Sequence, residues 1–372
     1  NRGAEGFKQI HIFPDPGEDQ SRRVRVLTRV RKAGRVVMQV VTIKDISRKC
    51  GVSPATVSKA LNGYGDISEA TRELIRKTAS EMHYLPNAAA RQLKTNSSHN
   101  LGIVYKDNTG SGLAHEFFSG VIDSAKEEAE QRGYDVTFIS AALGYGSYLE
   151  HCRYRKCDGV LIVSEDFSSK QVQDLVNSEI PAVSIDYVYD GHSCVLSKNA
   201  EGEYQLTKLL IQKGHKKIAF IHGEGTSVTK KRLAGFYTAL EESGIEVPKE
   251  YVVEALYHDP KSSGEATRQL MSLEDPPTAI MYPEQYSYLG GMMELERLHL
   301  SIPDDVSVVG FDGIRLSQVL RPRLTTYYQD APRIGRASVK KLVHMIENKK
   351  TSMAEEIEIP GRLLVGDSVA QI

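Results

Sequence analysis

Residues 41–93 read VTIKDISRKCGVSPATVSKALNGYGDISEATRELIRKTASEMHYLPNAAARQL. Thr42 predicts the N-cap of a first helix, with Asp45 at its third position, where a carboxylate suits the positive helix end. That helix should stop near Cys50-Gly51, because glycine accepts the left-handed backbone of a tight turn. Ser53 caps a second helix whose first position is Pro54, where a missing N–H is harmless. Asn62-Gly63 ends it. Val57, Ala60 and Leu61 fall at i, i+3 and i+4 and predict its inner face; Pro54, Ala55, Ser58, Lys59 and Asn62 share the outer one. Ser68 starts a third helix, with Leu74, Ile75, Ala79 and Met82 expected to close a small core over Ile46 and Val57. Two helices joined by a short glycine turn make either a helix-turn-helix or an αα-hairpin that serves packing alone. In the first reading the second helix enters the major groove, and Lys59 is the outer residue with a full positive charge for guanine or phosphate.

The residues that follow favour DNA. Tyr84-Leu85-Pro86 ends the third helix and Asn87 can cap a short run to Lys94, too short to hold a helix alone in water. The whole stretch resembles the headpiece of the lactose/galactose-repressor (LacI/GalR) family, whose signature V-T-I-x-D-[IV]-A-x-x-[AC]-G-V-S-x-x-T-V-S-[RK]-x-L-N and hinge Y-x-P-N-x-x-A-x-x-L it follows. Ser47 stands where that family usually has alanine. The resemblance implies that Ser53, Pro54, Ala55, Thr56, Ser58, Lys59 and Asn62 face groove or phosphate. It puts Thr42, Lys44, Ser68 and Thr71 on the DNA backbone, and Asn87, Ala90, Arg91 and Leu93 on a hinge helix. In that family the hinge leucine wedges into the minor groove and kinks the duplex.

The net charge of −1 hides an asymmetry. Residues 42–95 carry +4 and residues 1–41 carry +5, which leaves −10 on the remainder. A basic head on an acidic body fits a nucleic-acid contact confined to one end. Four cysteines, Cys50, Cys152, Cys157 and Cys194, form no disulfide framework pattern, so a cytoplasmic home is the simplest. Cys152 and Cys157 lack a second ligand pair, and no metal or other cofactor is expected. No apolar run approaches a membrane span. Residues 1–40 are expected to be a disordered extension. Its basic stretch from Arg22 to Arg35 reads either as an arm on DNA phosphates or as upstream sequence, with initiation at Met38. The second is favoured, since members of the resembled family begin near there.

From residue 98 the pattern alternates between strands and helices. Strands are expected at 101–105, 134–139, 160–163, 182–185, 218–221, 252–256, 279–282 and 306–309. Helices are expected near 115–132, 148–156, 172–177, 203–212, 230–243 and 288–298, with one more between 256 and 279. Such alternation predicts an α/β fold of doubly wound parallel sheets in two lobes, with ligands at strand carboxyl ends. The segments GHKKIAFIHG, TKKRLAGF, IPDDVSVVGFDGI and RPRLTTYYQD extend the resemblance to the family's periplasmic-binding-protein-like core. It implies a helix-turn-helix domain at 41–86, a hinge at 87–97 and an effector-binding, dimerising core at 98–372. The first lobe would hold about 98–198 and 328–358, the second about 199–327 and 359–372.

By matching position, Asp186, Arg232 and Asp312 correspond to residues that bond a small effector, often a sugar or purine, with Phe117, Phe118 and His115 nearby. Carboxylates beside an arginine suit a hydroxyl-rich ligand. Glu284 is the departure: it replaces an asparagine that usually reaches the effector. It implies either a different, cationic or amino-bearing ligand or a pocket that has lost binding. Catalytic motifs are missing: there is no complete G-x-G-x-x-G, P-loop, G-x-S-x-G or H-E-x-x-H. The expectation is therefore a transcriptional regulator, a repressor, that binds an inverted-repeat operator as a homodimer and answers to an effector. Two alternatives are the same fold governed by a protein partner, and a solute-binding protein. In mutational terms, Leu93→Ala should weaken operator binding and spare the effector, and Arg232→Ala the reverse.

Overall fold

The structure, a computed structural model, describes residues 31–32, 35–36, 41–61, 66–84, 97–107, 112–142, 144 and 146–372. They fall in two compact units, divided between Asn87 and Ala88. Two short strands, β1 (Arg31–Lys32) and β2 (Arg35–Val36), pair antiparallel ahead of the head. The rest of the 1–40 extension, the hinge residues Asn87, Ala90, Arg91 and Leu93, and Asn62 lie outside the described residues.

The head holds α1 (Ile43–Cys50), α2 (Pro54–Leu61) and α3 (Glu69–Glu81). Gly51 ends α1 at φ 67°, the left-handed turn expected of it. Ser53 Oγ accepts the Thr56 N–H at 3.1 Å and so caps α2, and Ser68 accepts from Thr71 at the start of α3. The family-atypical Ser47 is used: its hydroxyl donates to the Val52 carbonyl at 2.6 Å and ties the turn to α1. Ile46, Val57, Ala60, Ile75 and Ala79 form the core, with Met82 packed against it. Leu74 is a correction. It was expected inside, but it is 49% exposed. Ile75, Thr78 and Ala79 occupy the buried stripe of α3, and a neighbour one residue away points about 100° aside.

The second unit is built on two six-stranded sheets. The first contains β3 (Asn100–Tyr105), β4 (Asp135–Ile139), β5 (Gly159–Ser164), β6 (Ala182–Ile185), β7 (Ser193–Ser197) and β13 (Glu356–Ile359), in the order β13-β7-β6-β5-β3-β4. The second contains β8 (Ile218–His222), β9 (Val252–Glu254), β10 (Ala279–Met281), β11 (Ser307–Asp312), β12 (Thr325–Tyr328) and β14 (Arg362–Leu364), in the order β14-β12-β11-β10-β8-β9. Every pairing is parallel except β12 with β14. The short apolar runs form strands because both faces are covered. Leu161 and Val163 point into a core with helices α4 (Glu116–Gln131) and α12 (Ala331–Glu347), whereas Val160 and Ile162 point towards α5 (Tyr148–Arg155) and α6 (Lys170–Val176). In the second sheet Ile218 and Phe220 meet α7 (Asn199–Gln212) and α8 (Ser227–Glu242). Ala219 and Ile221 meet α9 (Pro260–Met271) and α10 (Gln285–Arg297). Each buried Val, Leu, Ile or Phe side chain among these contributes about 1.5–3 kcal/mol.

The chain passes between sheets three times: from β7 to α7, from β12 to α12, and from β13 to β14. The sequence reading stops short here. It names no strand for β7, β12, β13 or β14 and no helix for α11 (Arg315–Val319) or α12. β7 (SCVLS), β12 (TTYY) and β13 (EIEI) each carry two polar residues, whereas equally short strands that were expected, β6 (AVSI) and β10 (AIM), carry one or none.

Candidate functional site

On the head, Ser53, Pro54, Ala55 and Lys59 are exposed along one side of α2, and Thr56 and Ser58 are half-buried. Thr42, Lys44 and Ser68 are exposed and Thr71 is half-buried. Asp45 accepts from both Thr42 N and Thr42 Oγ1, at 2.9 and 2.7 Å, so here the carboxylate holds the cap. Lys59 pairs with Asp66, and Arg48 with Asp45 at 2.5 Å. Exposed ion pairs are worth about 0–1 kcal/mol, so a phosphate can draw these cations away at little cost.

The second unit contains a cleft of about 740 Å³ at the carboxyl ends of both sheets. All seven residues singled out for an effector line it: His115, Phe117, Phe118, Asp186, Arg232, Glu284 and Asp312. Asp186 follows β6 and Asp312 ends β11, both with left-handed backbone at φ 54° and 76°. Such conformations are uncommon outside glycine and gather at functional positions.

Arg232, on α8, is 4% exposed and heavily engaged. Its Nε donates to Asn199 Oδ1 at 2.9 Å and one terminal nitrogen donates to the Pro283 carbonyl at 2.7 Å. The other terminal nitrogen lies 3.7 Å from Asp312 Oδ1, and the guanidinium carbon sits 3.6 Å above the Phe311 ring. Asp312 Oδ1 also accepts from Gln329 Nε2 at 2.5 Å. Asp186 Oδ1 accepts from Ser197 N at 2.6 Å and Asn199 Nδ2 at 3.5 Å. Burial raises the pKa of both aspartates, opposed by Arg232 in each case and by the Ser197 N–H for Asp186. Glu203, on α7, is 1% exposed with neither oxygen bonded. Burial pushes it up to about 8 despite Arg232.

Glu284 has a different task from the one its position suggested. It is the N-cap of α10, and its carboxylate takes Tyr286 N at 2.6 Å, Ser287 N at 2.8 Å, Ser287 Oγ at 2.5 Å and His258 N at 3.2 Å. It lines the cleft, yet its lone pairs are already used to hold the helix start and the 258 loop.

Sequence reasoning missed Tyr257, Gln329, Phe167, Tyr187, Asn199 and Glu203. His258 meets His115 across the cleft, with ring centroids 3.8 Å apart, and Nδ1 of each ring is buried without a partner. Burial first, then His258, pushes the His115 pKa down to about 3; Asp107 opposes this weakly. Glu284 lies 3.9 Å from His258 Nε2, and the rings of Phe118 and Tyr286 flank the pair. A histidine with a depressed folded pKa adds nothing unfavourable above its ordinary value of about 6.5 and destabilises progressively as pH falls below it towards 3. Between pH 7.5 and 5.5 the wild-type core should therefore lose about 1.4 kcal/mol more unfolding free energy than His115→Phe. Urea titrations at both pH values check this; equal losses would remove His115 from the account.

Two family models match the chain: "Bacterial regulatory proteins, lacI family" over residues 42–87 and "Periplasmic binding protein-like domain" over residues 207–369. The "HTH-type transcriptional repressor PurR" of Vibrio vulnificus (strain CMCP6) is 31% identical over 339 residues, which is 89% of this chain and 99% of that protein. Among solved structures, a "transcriptional regulator CelR-cellobiose complex" is 26% identical with a TM-score of 0.65, covering 88% of this chain and 99% of its own. A lac repressor dimer bound to operator and an anti-inducer superposes with a TM-score of 0.74 at 24% identity, covering 89% of this chain and all of its own, and speaks for the fold alone. Among the described residues no helix is long and apolar enough to cross a membrane. With a lacI-type head over residues 42–87 and a relative matched along almost its full length, the chain belongs to the lacI family of bacterial regulatory proteins, and it is a DNA-binding transcriptional regulator, not an enzyme.

Proposed function

We propose that this regulator represses transcription in the cytoplasm, with two copies binding an inverted-repeat operator through the exposed side of α2 and a small effector in the cleft governing that grip. In this reading Ser53, Pro54, Ala55, Thr56, Ser58, Lys59 and Asn62 meet groove or phosphate, and Thr42, Lys44, Ser68 and Thr71 position the head on the backbone. The division is a head at 41–86, a hinge at 87–97 carrying Asn87, Ala90, Arg91 and Leu93, and a core at 98–372. The observation that carries the effector half is the convergence of His115, Phe117, Phe118, Asp186, Arg232, Glu284 and Asp312 on one cleft shared by two sheets. A ligand there touches both lobes, so it changes their relative stability in the open and closed arrangements, which is what a switch requires. A sugar-like ligand suits the mixture of aromatic faces and carboxylates, and the similar CelR structure is described as a cellobiose complex.

Selection of bound sequences from a random duplex pool, followed by anisotropy titrations across salt concentrations, tests the DNA half. The selected sites should be inverted repeats with half-sites about one helical turn (~10 bp) apart. Affinity should fall steeply with salt, and Lys59→Ala should flatten the slope by about two, one phosphate contact being lost from each copy. A pool with no enriched repeat, or binding indifferent to salt, would reject the proposal.

A further inference from the structure

We infer that the effector carries a protonated amino group, held by Asp186 of the first lobe and Asp312 of the second; this rests on the cleft being the effector site. The cleft is short of cations. Its first lobe contributes the carboxylates of Asp107, Glu165, Asp166 and Asp186, and its second those of Glu224, Glu284 and Asp312; among the described residues Lys230 and Arg232 are the only full positive charges lining it. Several of the carboxylates are already satisfied. Lys106 and Tyr148 hold Glu165 at 3.2 and 2.9 Å, Ser168 holds Asp166, and Glu284 caps a helix.

Asp186 and Asp312 are placed differently. They are the ends of one chain of contacts, Asp186 to Asn199 to Arg232 to Asp312. Each engages Oδ1 within the protein, no bond to its second oxygen is seen among the described residues, and both residues line the cleft. One guanidinium thus serves both aspartates and lies close enough to influence buried Glu203 as well. Two of its three nitrogens are spent on Asn199 and Pro283, and Lys230 is exposed at the surface. An ammonium brings three donors and the missing positive charge, and charge-assisted hydrogen bonds exceed those of a neutral hydroxyl. Phe167 and Tyr187, stacked with centroids 4.7 Å apart at 5°, both line the cleft and offer ring faces to a sugar or a cation. An anionic ligand meets the opposite field. Glu284, whose charge first raised an amino-bearing ligand, contributes background potential here and not the direct contact.

Isothermal titration of the full chain at pH 7.5 with glucosamine, glucose and glucuronate, and with the galactose counterparts, tests the inference. In at least one series the amino sugar should bind about tenfold or more tighter than its neutral parent, with the uronate weakest. Asp186→Asn and Asp312→Asn keep the shape and should shrink that preference to about threefold or less. The amino preference should also weaken as pH is lowered, because burial raises both carboxyl pKa values and acid favours their neutral forms. A parent or uronate that binds as well as the amino sugar overturns the inference and leaves the effector reading standing. Silence from all six sugars overturns both the inference and the sugar-like reading of the cleft.

Discussion

Replacing Arg232 with alanine lowers the unfolding free energy of the two-lobed core by about 3–5 kcal/mol, the range expected when one partner of a buried ion pair is removed. The guanidinium is almost wholly enclosed and stands 3.7 Å from Asp312, itself 8% exposed. Its loss leaves Asp312 and Asp186 without their nearby positive charge and strands the Asn199 and Pro283 oxygens as buried acceptors. Removing the flat group above Phe311 opens a void as well. Arg232→Met separates these causes, because it keeps the packing and deletes the charge; it should recover a minor part of the loss. The pH dependence has a definite sign. Both aspartates have folded pKa values raised above the ordinary carboxylate range, so their neutral forms contribute stability at low pH that disappears as pH rises through the folded values. Without Arg232 those values rise further, so between pH 5 and 8 the deficit should narrow towards acid and widen towards base, above the constant part set by the stranded acceptors and the void. Urea unfolding across that range is the measurement. A deficit under about 1 kcal/mol, or one that grows towards acid, would show that the arginine is peripheral.

This changes what the substitution can report. From matching position alone, Arg232→Ala is a clean effector mutant that spares the operator. Its contacts make it a member of the core first, so Asp186→Asn and Asp312→Asn are the better probes of ligand recognition. Sequence could supply the residue and its neighbourhood but not its degree of engagement, because burial of an arginine depends on partners 33 and 51 residues away, at Asn199 and Pro283.

The same distinction separates what was legible elsewhere. Helix ends written in local chemistry were readable: Gly51 turning at positive φ, Ser53 and Ser68 accepting from the third residue on. So were strands whose both faces are apolar, such as 101–105 and 218–221. Leu74 was misjudged because two adjacent apolar residues on a helix compete for one stripe, and only the packing of α3 against α1 and α2 decides between them. Glu284 was misjudged in its task, since glutamate is an uncommon N-cap and nothing in Pro283-Glu284-Gln285-Tyr286 announces one. The cleft residue Gln329 and the buried residues Asn199 and Glu203 near Arg232 were illegible for another reason. They belong to the crossings between sheets, after β7 and after β12, where neither strand had been recognised.

Ile46→Ala should abolish operator binding at 37 °C while leaving the core's melting transition where it is. Ile46 is fully buried in a head core with five buried apolar residues among the described ones, none of which belongs to the four clusters of the two-lobed core. Truncating a buried isoleucine to alanine costs about 2–5 kcal/mol. A domain of this size draws no more than about 3–5 kcal/mol from its core, so the loss matches its whole margin. An unfolded head has no α2 to present, and two intact heads are needed for an inverted repeat, so the population able to bind falls with the square of the folded fraction. Leu74→Ala is the contrast, since a half-exposed side chain should shift stability within about 0.5 kcal/mol. Lys59→Ala is the second contrast: it should weaken DNA binding with the head still folded, because its partner Asp66 is an exposed carboxylate. Circular dichroism melts of the full chain, paired with anisotropy on the selected duplex, read both quantities. If Ile46→Ala kept a folded head and lost only affinity, its side chain would be a DNA contact and not the centre of a core; if the core transition moved too, the two units would not be thermodynamically separate.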